Sequence, residues 1–478
     1  MHLITTIRTL LLMLVLPAAG PLFSQSPLSN NPETVPASAE LTIHESSPRP
    51  NNLILAIPIQ SQFDAALGEA VPNSNSLGPN TWNVIAPIPV DVLISDRDIN
   101  QYQLSIARLE SQGGSWNENL TQELFSLGAL HQQRENHDEA IRLFSRAMHV
   151  NRINSGLYNL QQIPAVEALI ESYLATGDWE QADIYQNYLF LIQQRAYGAN
   201  DPRLIPAITK LGDWHLHMFD LRHGSPLGLR LSSALVLFDA AARSVQSHFG
   251  AEDERIVKYH RDIASSAYLV LKNPDLIAES RRPEFRESLE QLKFRLEEDS
   301  RVNNQAYRMG ALALMSVVDF YQQHNSTDDQ GLYKHAAAVA SLGDWYLLFD
   351  QRRPAKNSYS QAWQLLAEAE DPAGLRSALF DQVLPLPAFG DGRYSLTGEE
   401  SKSLVTRSMV TGYVDLSLDV TAHGSVRRLK IITEETPQNM HILSRFSHRL
   451  KNSHFRPIVE EGEPVISRAN YFRYQYWY

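Results

Sequence analysis

Residues 124–147 decide the fold and read LFSLGALHQQRENHDEAIRLFSRA. Gly128 is followed after twelve positions by Ala140, and Phe144 and Ala147 come four and seven positions after Ala140. Residues separated by four and by three positions lie on one face of a helix. A small residue on each of two consecutive helices also lets their axes approach closely. The stretch therefore predicts a hairpin of two helices that can stack on further hairpins.

Related patterns return three times. Their members are Tyr173, Gly177 and Ala182 in one stretch, Gly212, Ala234, Phe238 and Ala241 in a second, and Gly343, Ala355, Tyr359 and Ala362 in a third. From Ala140 to Ala182 is 42 residues, and from Ala182 to Ala234 is 52. The second interval becomes 42 when a Gly/Pro-containing insert of ten residues, 223–232, is removed. The repetition predicts an α-solenoid, and an irregular helical bundle with alanine and glycine contacts is the alternative.

With these residues the chain resembles tetratricopeptide-repeat proteins, whose unit of about 34 residues has small and aromatic residues at similar positions. The resemblance implies an α-solenoid over residues 97–375, with a concave groove that accepts a protein or an extended peptide. The chain departs from that family in its longer repeat. In addition, His131 and His215 stand where the first helix usually has an aromatic residue, and Gln186 replaces a large apolar residue.

The sequence changes character after residue 375. Residues 376–405 contain a Pro- and Gly-bearing stretch that predicts a linker. Residues 412–421, GYVDLSLDVT, alternate apolar and polar residues, which is typical of a strand with one solvated face. A returning strand at 425–433, an amphipathic helix at 437–452 and two strands flanking a glycine turn complete the predicted order.

This order makes residues 406–478 resemble the carboxy-terminal domain of the TonB energy-transducer family. The residues that carry the resemblance are Gly412, Gly424, Phe455, Pro457, Gly462 and Pro464, with the FRP sequence as its most specific part. The whole chain is thus predicted to be mainly α, with a small C-terminal α+β (ββαββ) domain. The resemblance implies that an extended peptide adds as a strand to a sheet edge.

The last strand supplies candidate residues for such an edge. They are the aromatic residues Tyr471, Tyr474, Tyr476 and Trp477. The alternative is that these side chains pack on the helix around Phe446 or on the solenoid. Three basic residues of that helix, Arg445, Arg449 and Lys451, could dock on the acidic repeats of the same molecule or meet an acidic partner.

Composition excludes several functions. The 478 residues contain no cysteine, which removes disulfides, thiolate nucleophiles and Cys-bound metals. The net charge is −12, and because residues 406–478 carry +3, the remainder carries −15, which disfavours nucleic acid as a partner. Neither a phosphate-binding loop nor a GxSxG motif is present. His215 and His217 are two positions apart, on different helix faces, so we expect no metal site, no cofactor and no catalytic residue.

The amino terminus predicts export. Residues 1–25 have Arg8, a short apolar block at 10–16 and then small residues, the layout of a signal peptide. The block is shorter than the roughly 20 residues that span a bilayer; an uncleaved anchor is the alternative. Residues 26–96 are rich in Ser, Asn and Pro and predict a disordered or loosely docked leader. Within it, residues 52–60, NLILAIPIQ, could form a strand, a peptide lying along the solenoid, or an apolar linker.

We therefore expect a periplasmic scaffold that binds a protein or extended peptide of the cell envelope and catalyses no reaction. Contact with a membrane would come only through the partner. One alternative is a TonB-type energy transducer for outer-membrane transport. A second alternative is a ligand-binding protein or enzyme with a pocket between the two domains.

Overall fold

The computed structural model describes residues 55–58, 96–224, 226–296, 302–324, 328–389, 411–436 and 439–477. In this part of the chain the protein is mainly helical, with fifteen α-helices and a small strand-containing region toward the carboxy terminus. The predicted signal peptide, most of the predicted leader, residues 390–405 of the predicted linker and residues 406–410 of the predicted C-terminal domain lie outside the described residues.

The helices follow one another as hairpins. Helix α1 is Asp96–Gly113, and three hairpins follow: α2 (Leu120–Gln133) with α3 (His137–Ser155), α4 (Ile163–Thr176) with α5 (Trp179–Tyr197), and α6 (Ile205–Asp220) with α7 (Leu227–Phe249). Next come α8 (Arg255–Lys272), α9 (Pro274–Ser280), α10 (Pro283–Arg295), α11 (Val302–Gln323), α12 (Asp329–Leu348), α13 (Arg352–Leu365) and α14 (Pro372–Phe380). Helix α8 packs on α11, and α12 packs on α13. We refer to α1–α14 as the helical region.

In each of three hairpins the two helices contact each other through a glycine on the first helix and an aromatic ring on the second, and we call this contact the seam. A Cβ added to the glycine would lie 2.7 Å from the ring at Gly128–Phe144, 2.7 Å at Gly212–Phe238 and 2.8 Å at Gly343–Tyr359. Such distances are shorter than carbon–carbon contacts allow, so the ring occupies the space that the glycine leaves free. The alanines of the pattern, Ala140, Ala147, Ala182, Ala234, Ala241, Ala355 and Ala362, are all buried. The predicted small-residue contacts are present.

The α4–α5 hairpin is built differently. The residue twelve positions before Ala182 is Ile170, and the aromatic position is taken by Gln186; both are buried. Gly177 ends α4 with φ +77°, and its place for a Cβ has no neighbour within 4 Å. Gly177 is therefore a helix-terminating residue rather than a contact residue of the seam. Tyr173 stacks on Tyr185 with ring centroids 5.5 Å apart.

The first helix of each hairpin ends in the same way. Glu135, Gly177, Arg222 and Asp350 have left-handed φ values of 56° to 77°. The following N–H donates to a carbonyl five residues earlier: Asn136 to His131, Asp178 to Tyr173, His223 to Met218 and Gln351 to Tyr346, at 2.8–2.9 Å. This Schellman arrangement satisfies carbonyl groups that the helix end leaves free. The hairpin turns are therefore equivalent even where the sequences differ.

In three hairpins the second helix ends at a glycine that was not part of the predicted repeat pattern. Gly156, Gly198 and Gly250 end α3, α5 and α7 with φ values of 93°, 93° and 90°, which favour glycine. They are separated by 42 and 52 residues, the same intervals as the alanines. Three positions after each glycine, Asn159, Asp201 and Asp253 accept a hydrogen bond from the backbone N–H two residues further on. The backbone conformation at the helix ends thus repeats with the same intervals as the alanines.

The described residues from 411 to 477 form seven elements of the C-terminal region. They are β3 (Thr411–Val420), β4 (Val426–Ile431), α15 (Met440–Lys451), β5 (Phe455–Arg456), β6 (Val459–Glu460), β7 (Glu463–Pro464) and β8 (Ser467–Trp477). The predicted hairpin around Gly462 is the short β6–β7 pair, while β8 pairs with β3. The leader contributes β1 (Leu55–Pro58), which pairs with β8, so this segment is a strand. The sheet order is β1–β8–β3–β4. We call this the C-terminal sheet.

Part of the predicted linker is folded. Helix α14 runs to Phe380, and β2 (Leu384–Pro385) pairs with β5 in antiparallel orientation. Val383 belongs to the core between α15 and the C-terminal sheet, whereas Phe389 belongs to the core of the helical region. Leu386, between Pro385 and Pro387, is also buried in the core of the helical region. Residues 376–389 therefore connect two cores instead of separating them.

Candidate peptide-binding edge of the C-terminal sheet

Strand β8 lies between β3 and the short strand β1 in the C-terminal sheet. On one side it pairs with β3 from Thr411 opposite Trp477 to Val420 opposite Ser467. On the other side it pairs with β1, with Leu55 opposite Trp477 and Pro58 opposite Tyr474. Both pairings are antiparallel. The pairing with β1 covers only the last four residues of β8, so the remainder of this edge pairs with no other described strand.

The two edges of the sheet differ in chemistry. The outer strand β4 presents three exposed basic residues, Arg427, Arg428 and Lys430, and Arg428 has a left-handed φ of 45°. Positive charge and an irregular backbone disfavour the addition of a further strand to an edge. The β8 edge has accepted a strand at residues 474–477. Of the two edges, the β8 edge is therefore the one that pairs with a further described strand.

The predicted edge aromatics fall into three groups. Tyr471 is 73% exposed. Tyr474 is buried in the core of the C-terminal region, where its ring lies 5.0 Å from that of Phe446. Burial raises the pKa of the Tyr474 phenol above its usual value. Tyr474 is thus a core residue, as in the alternative reading, because alternate residues of a strand face opposite sides of a sheet. The side chains of Tyr476 and Trp477 lie outside the described residues, but their backbone pairs with β1.

A buried ion pair fixes the C-terminal region to the helical region. Arg456, from the FRP sequence, donates from Nε to Oδ1 of Asp344 at 2.9 Å and from Nη2 to Oδ2 at 2.5 Å. Tyr359 Oη also donates to Oδ1, at 2.9 Å. The side chains of Arg456 and Asp344 are 6% and 0% exposed. Although burial opposes the charged form, Asp344 raises the pKa of Arg456 above its usual value.

Further contacts surround this ion pair, and together we call them the joint. Gly424, in the turn between β3 and β4, approaches both Leu347 of α12 and the carbonyl oxygen of Phe455. At the rim, Lys356 Nζ lies 2.7 Å from a carboxylate oxygen of Glu463, and both side chains are about half exposed. Val459 is fully buried in the core of the helical region. The joint thus combines a charged centre with apolar packing.

Of the three basic residues of α15 named in the sequence analysis, Arg449 lies near an acidic residue of the helical region, Asp220. Burial raises the pKa of Asp220, at the end of α6, to about 7, and the positive charges of Arg222 and Arg449 act in the opposite direction. Arg449 also influences the phenol of Tyr268 on α8, whose pKa burial raises to about 12. The positive charge of Arg449 on α15 therefore acts to lower the pKa of Asp220, a carboxyl group of the helical region.

The histidines of α6 belong to a structural cluster. His215 is buried beside Arg230, with 3.3 Å between His215 Nδ1 and Arg230 Nη1, and burial lowers the pKa of His215 to about 3. Arg230 binds both carboxylate oxygens of Asp183 at 2.8 Å, and Trp214 Nε1 donates to Asp183 at 2.7 Å. Burial opposes ionisation of Asp183, but these hydrogen bonds lower its pKa. No group of three His, Asp or Glu residues in the described part of the chain could hold a metal ion.

Neither Asp344 nor Arg456 was predicted to be a site residue from the sequence. Residues 211–214 and 342–345 both read LGDW, yet Asp213 is exposed and Asp344 is completely buried. Only the second copy faces the C-terminal region. The sequence signal for Asp344 was a charged residue in an otherwise apolar stretch. Because the same LGDW sequence occurs twice, the sequence could not show that only Asp344 is buried.

Among the residues that the structure describes, no helix is long and apolar enough to cross a membrane. Comparison of the chain with known protein families and with curated proteins gives no match.

Proposed function

We propose that this protein is an exported, non-catalytic interaction scaffold of the cell envelope. Its helical region would be a tetratricopeptide-like solenoid, and its C-terminal region a TonB-like domain that receives an extended peptide. The observation that carries the proposal is the β8 edge, which holds four residues as an added antiparallel strand. Strand addition uses backbone hydrogen bonds and is a recurring way of binding extended peptides.

The helical region supports the solenoid part of the proposal. Three hairpins repeat the contact between a glycine and an aromatic ring, and three second helices end at glycines 42 and 52 residues apart. In a solenoid each unit contacts mainly its neighbours, and the stacked units present an extended surface to partners. From α1 to α8 each helix packs on the next one along the chain, as expected for such an arrangement, and α8 then packs on α11.

The joint supports the scaffold part. Arg456 and Asp344 are buried together, and apolar residues of both regions pack around them. A peptide at the β8 edge would therefore sit in a fixed place relative to the helical region. A partner could bind both surfaces only if its own binding elements had matching separation.

Site-specific photo-crosslinking in the native host tests the proposal. A photoreactive residue replaces Tyr471, beside the β8 edge, and in a control replaces Leu104 of α1; both side chains are 73% exposed. We expect a discrete crosslinked envelope protein from position 471 and none from position 104. Equal products from both positions, or none from position 471, would contradict the proposal.

Mass spectrometry of the mature amino terminus in separated cell fractions tests the proposed export. A soluble periplasmic chain that starts near residue 25 is expected. An intact amino terminus in the membrane fraction would instead favour the TonB-type energy transducer.

A further inference from the structure

The edge that is proposed to receive a partner already carries a strand of the same chain. Residues 55–58, Leu-Ala-Ile-Pro, are uncharged and pair in antiparallel orientation with residues 474–477. The pairing ends at Pro58, which has no N–H to donate to a longer ladder. Four residues form a short strand, so the ladder that holds β1 is also short.

The uncovered part of the edge continues next to β1. Tyr471, Phe472 and Arg473 pair with Ser417, Leu416 and Asp415 of β3 on one side only. Further along, Ala469 has a left-handed φ of 53°, and the register shifts between Leu418 and Val420. Asn470 still pairs with Leu418, so regular strand geometry extends four residues beyond β1 and then stops. An external strand that replaced β1 could pair with about eight residues of β8.

Covalent attachment favours β1 over an external peptide of equal length. A tethered segment is present at an effective concentration on the order of millimolar when its connection spans the required distance. An external peptide can overcome this advantage by pairing with more of the edge. To displace β1, the external peptide therefore needs a longer extended segment than β1, but its residues can be of the same apolar kind.

We propose that residues 55–58 are a built-in competitor for the β8 edge, and that the partner is an apolar, extended peptide that adds antiparallel to β8 and displaces them. This inference rests on the proposed function. It specifies the chemistry of the peptide and a regulation of the same site. Among the described residues, 55–58 are the segment that pairs with this part of the edge, so their apolar sequence indicates what kind of peptide the edge accepts.

Fluorescence anisotropy with a labelled synthetic peptide of residues 52–60, NLILAIPIQ, tests the competition. The peptide is titrated with the full chain, with the full chain carrying Ala56→Pro and Ile57→Pro, and with a control carrying Ser61→Pro and Gln62→Pro. The first double substitution removes both backbone donors at the centre of β1, whereas the control leaves residues 55–58 unchanged. We expect the first variant to bind the peptide at least about ten-fold more tightly than the other two chains.

Three results would overturn the inference. Equal affinity for all three chains would mean that β1 does not obstruct the edge. Absence of binding to every chain, with a partner still crosslinked at position 471, would reject the peptide chemistry but leave the proposed function standing. A dimer in analytical ultracentrifugation that Ala56→Pro and Ile57→Pro abolish would assign the competing strand to a second copy of the chain.

Discussion

Single residues determine how closely the helices approach. At Gly343 a Cβ would lie 2.8 Å from the Tyr359 ring and 3.1 Å from Cβ of Ser358. Both neighbours belong to one packed helix, so Gly343→Ala must displace the ring or the helix. Overpacking of this kind typically costs about 1–3 kcal/mol. We expect that loss in the free energy of unfolding, measured by urea denaturation.

A matched glycine provides the control. Gly113 ends α1, and the atoms nearest to a Cβ there belong to the side chain of Asn117, which donates a hydrogen bond to the carbonyl of Leu109 at 3.1 Å. Gly113→Ala displaces this one partly exposed side chain and gains the higher helix propensity of alanine, about 1 kcal/mol, so it should destabilise less than Gly343→Ala. Equal destabilisation by the two substitutions would contradict the importance of the seam.

The buried ion pair gives a second prediction at this scale. Arg456→Met leaves Asp344 charged, buried and without its main partner, and breaking a buried pair typically costs about 3–5 kcal/mol. Glu463→Gln removes an exposed pair from the same joint and should cost less than about 1 kcal/mol. Chemical denaturation of both variants checks the contrast. Similar losses would show that burial of Arg456 has no special consequence.

Asp220 predicts a dependence of stability on pH. Burial raises its pKa in the folded protein to about 7, against 3.8 in the unfolded chain. Between these values the folded state holds a proton that the unfolded state has lost, so this group's contribution to stability is largest below pH 4. It falls as the pH rises toward 7, by at most about 1.4 kcal/mol per unit. Asp220→Asn removes this negative contribution, so the slope of unfolding free energy against pH should become more positive over this range; an unchanged slope would contradict the raised pKa.

At the scale of elements, the turn between β3 and β4 is restricted most strongly. Gly424 has φ +69°, and a Cβ there would lie 2.3 Å from the Phe455 carbonyl oxygen and 2.7 Å from Leu347. Gly462 also has a positive φ, of 83°, but its nearest neighbour would be 3.4 Å away. Gly462→Ala therefore pays only the left-handed conformation, about 1–2 kcal/mol. Gly424→Ala should cost more and should increase proteolysis between the two regions.

Helices and strands were predictable because their periods differ. Alternation over residues 412–421 predicted β3, and the intervals of four and three after Ala140 predicted α3. Gly177 was misleading because glycine serves both close packing and left-handed helix ends, and the sequence does not distinguish the two uses. The folded linker was missed because Pro and Gly indicate loops, whereas burial of Val383 depends on residues far away in the sequence.

For the edge, sequence predicted the strand but not the direction of each side chain. Tyr471 and Tyr474 are equally aromatic, and only the register with β3 places one outside and the other against Phe446. The pairing of residues 55–58 with β8 was equally out of reach. About 400 residues separate these strands, and neither contains a residue that specifies the other.

For the whole molecule, the shared cores predict that the C-terminal region depends on the helical region. A fragment of residues 406–478 would lack Val383 and would expose Arg456 and Val459, which are buried in the full chain. We expect this fragment to show no cooperative thermal transition by circular dichroism, whereas the full chain does. A sharp transition in the fragment would contradict the structural role of the joint.

The pairing of β1 with β8 has a mechanical consequence. Strand β1 precedes all the described helices, and β8 ends the described chain, so their ladder joins the two ends of the fold. Tension applied through the amino terminus reaches this four-residue ladder before it reaches any helical hairpin. Because a ladder of four residues is short, we expect β1 to detach under load before any helical hairpin unfolds.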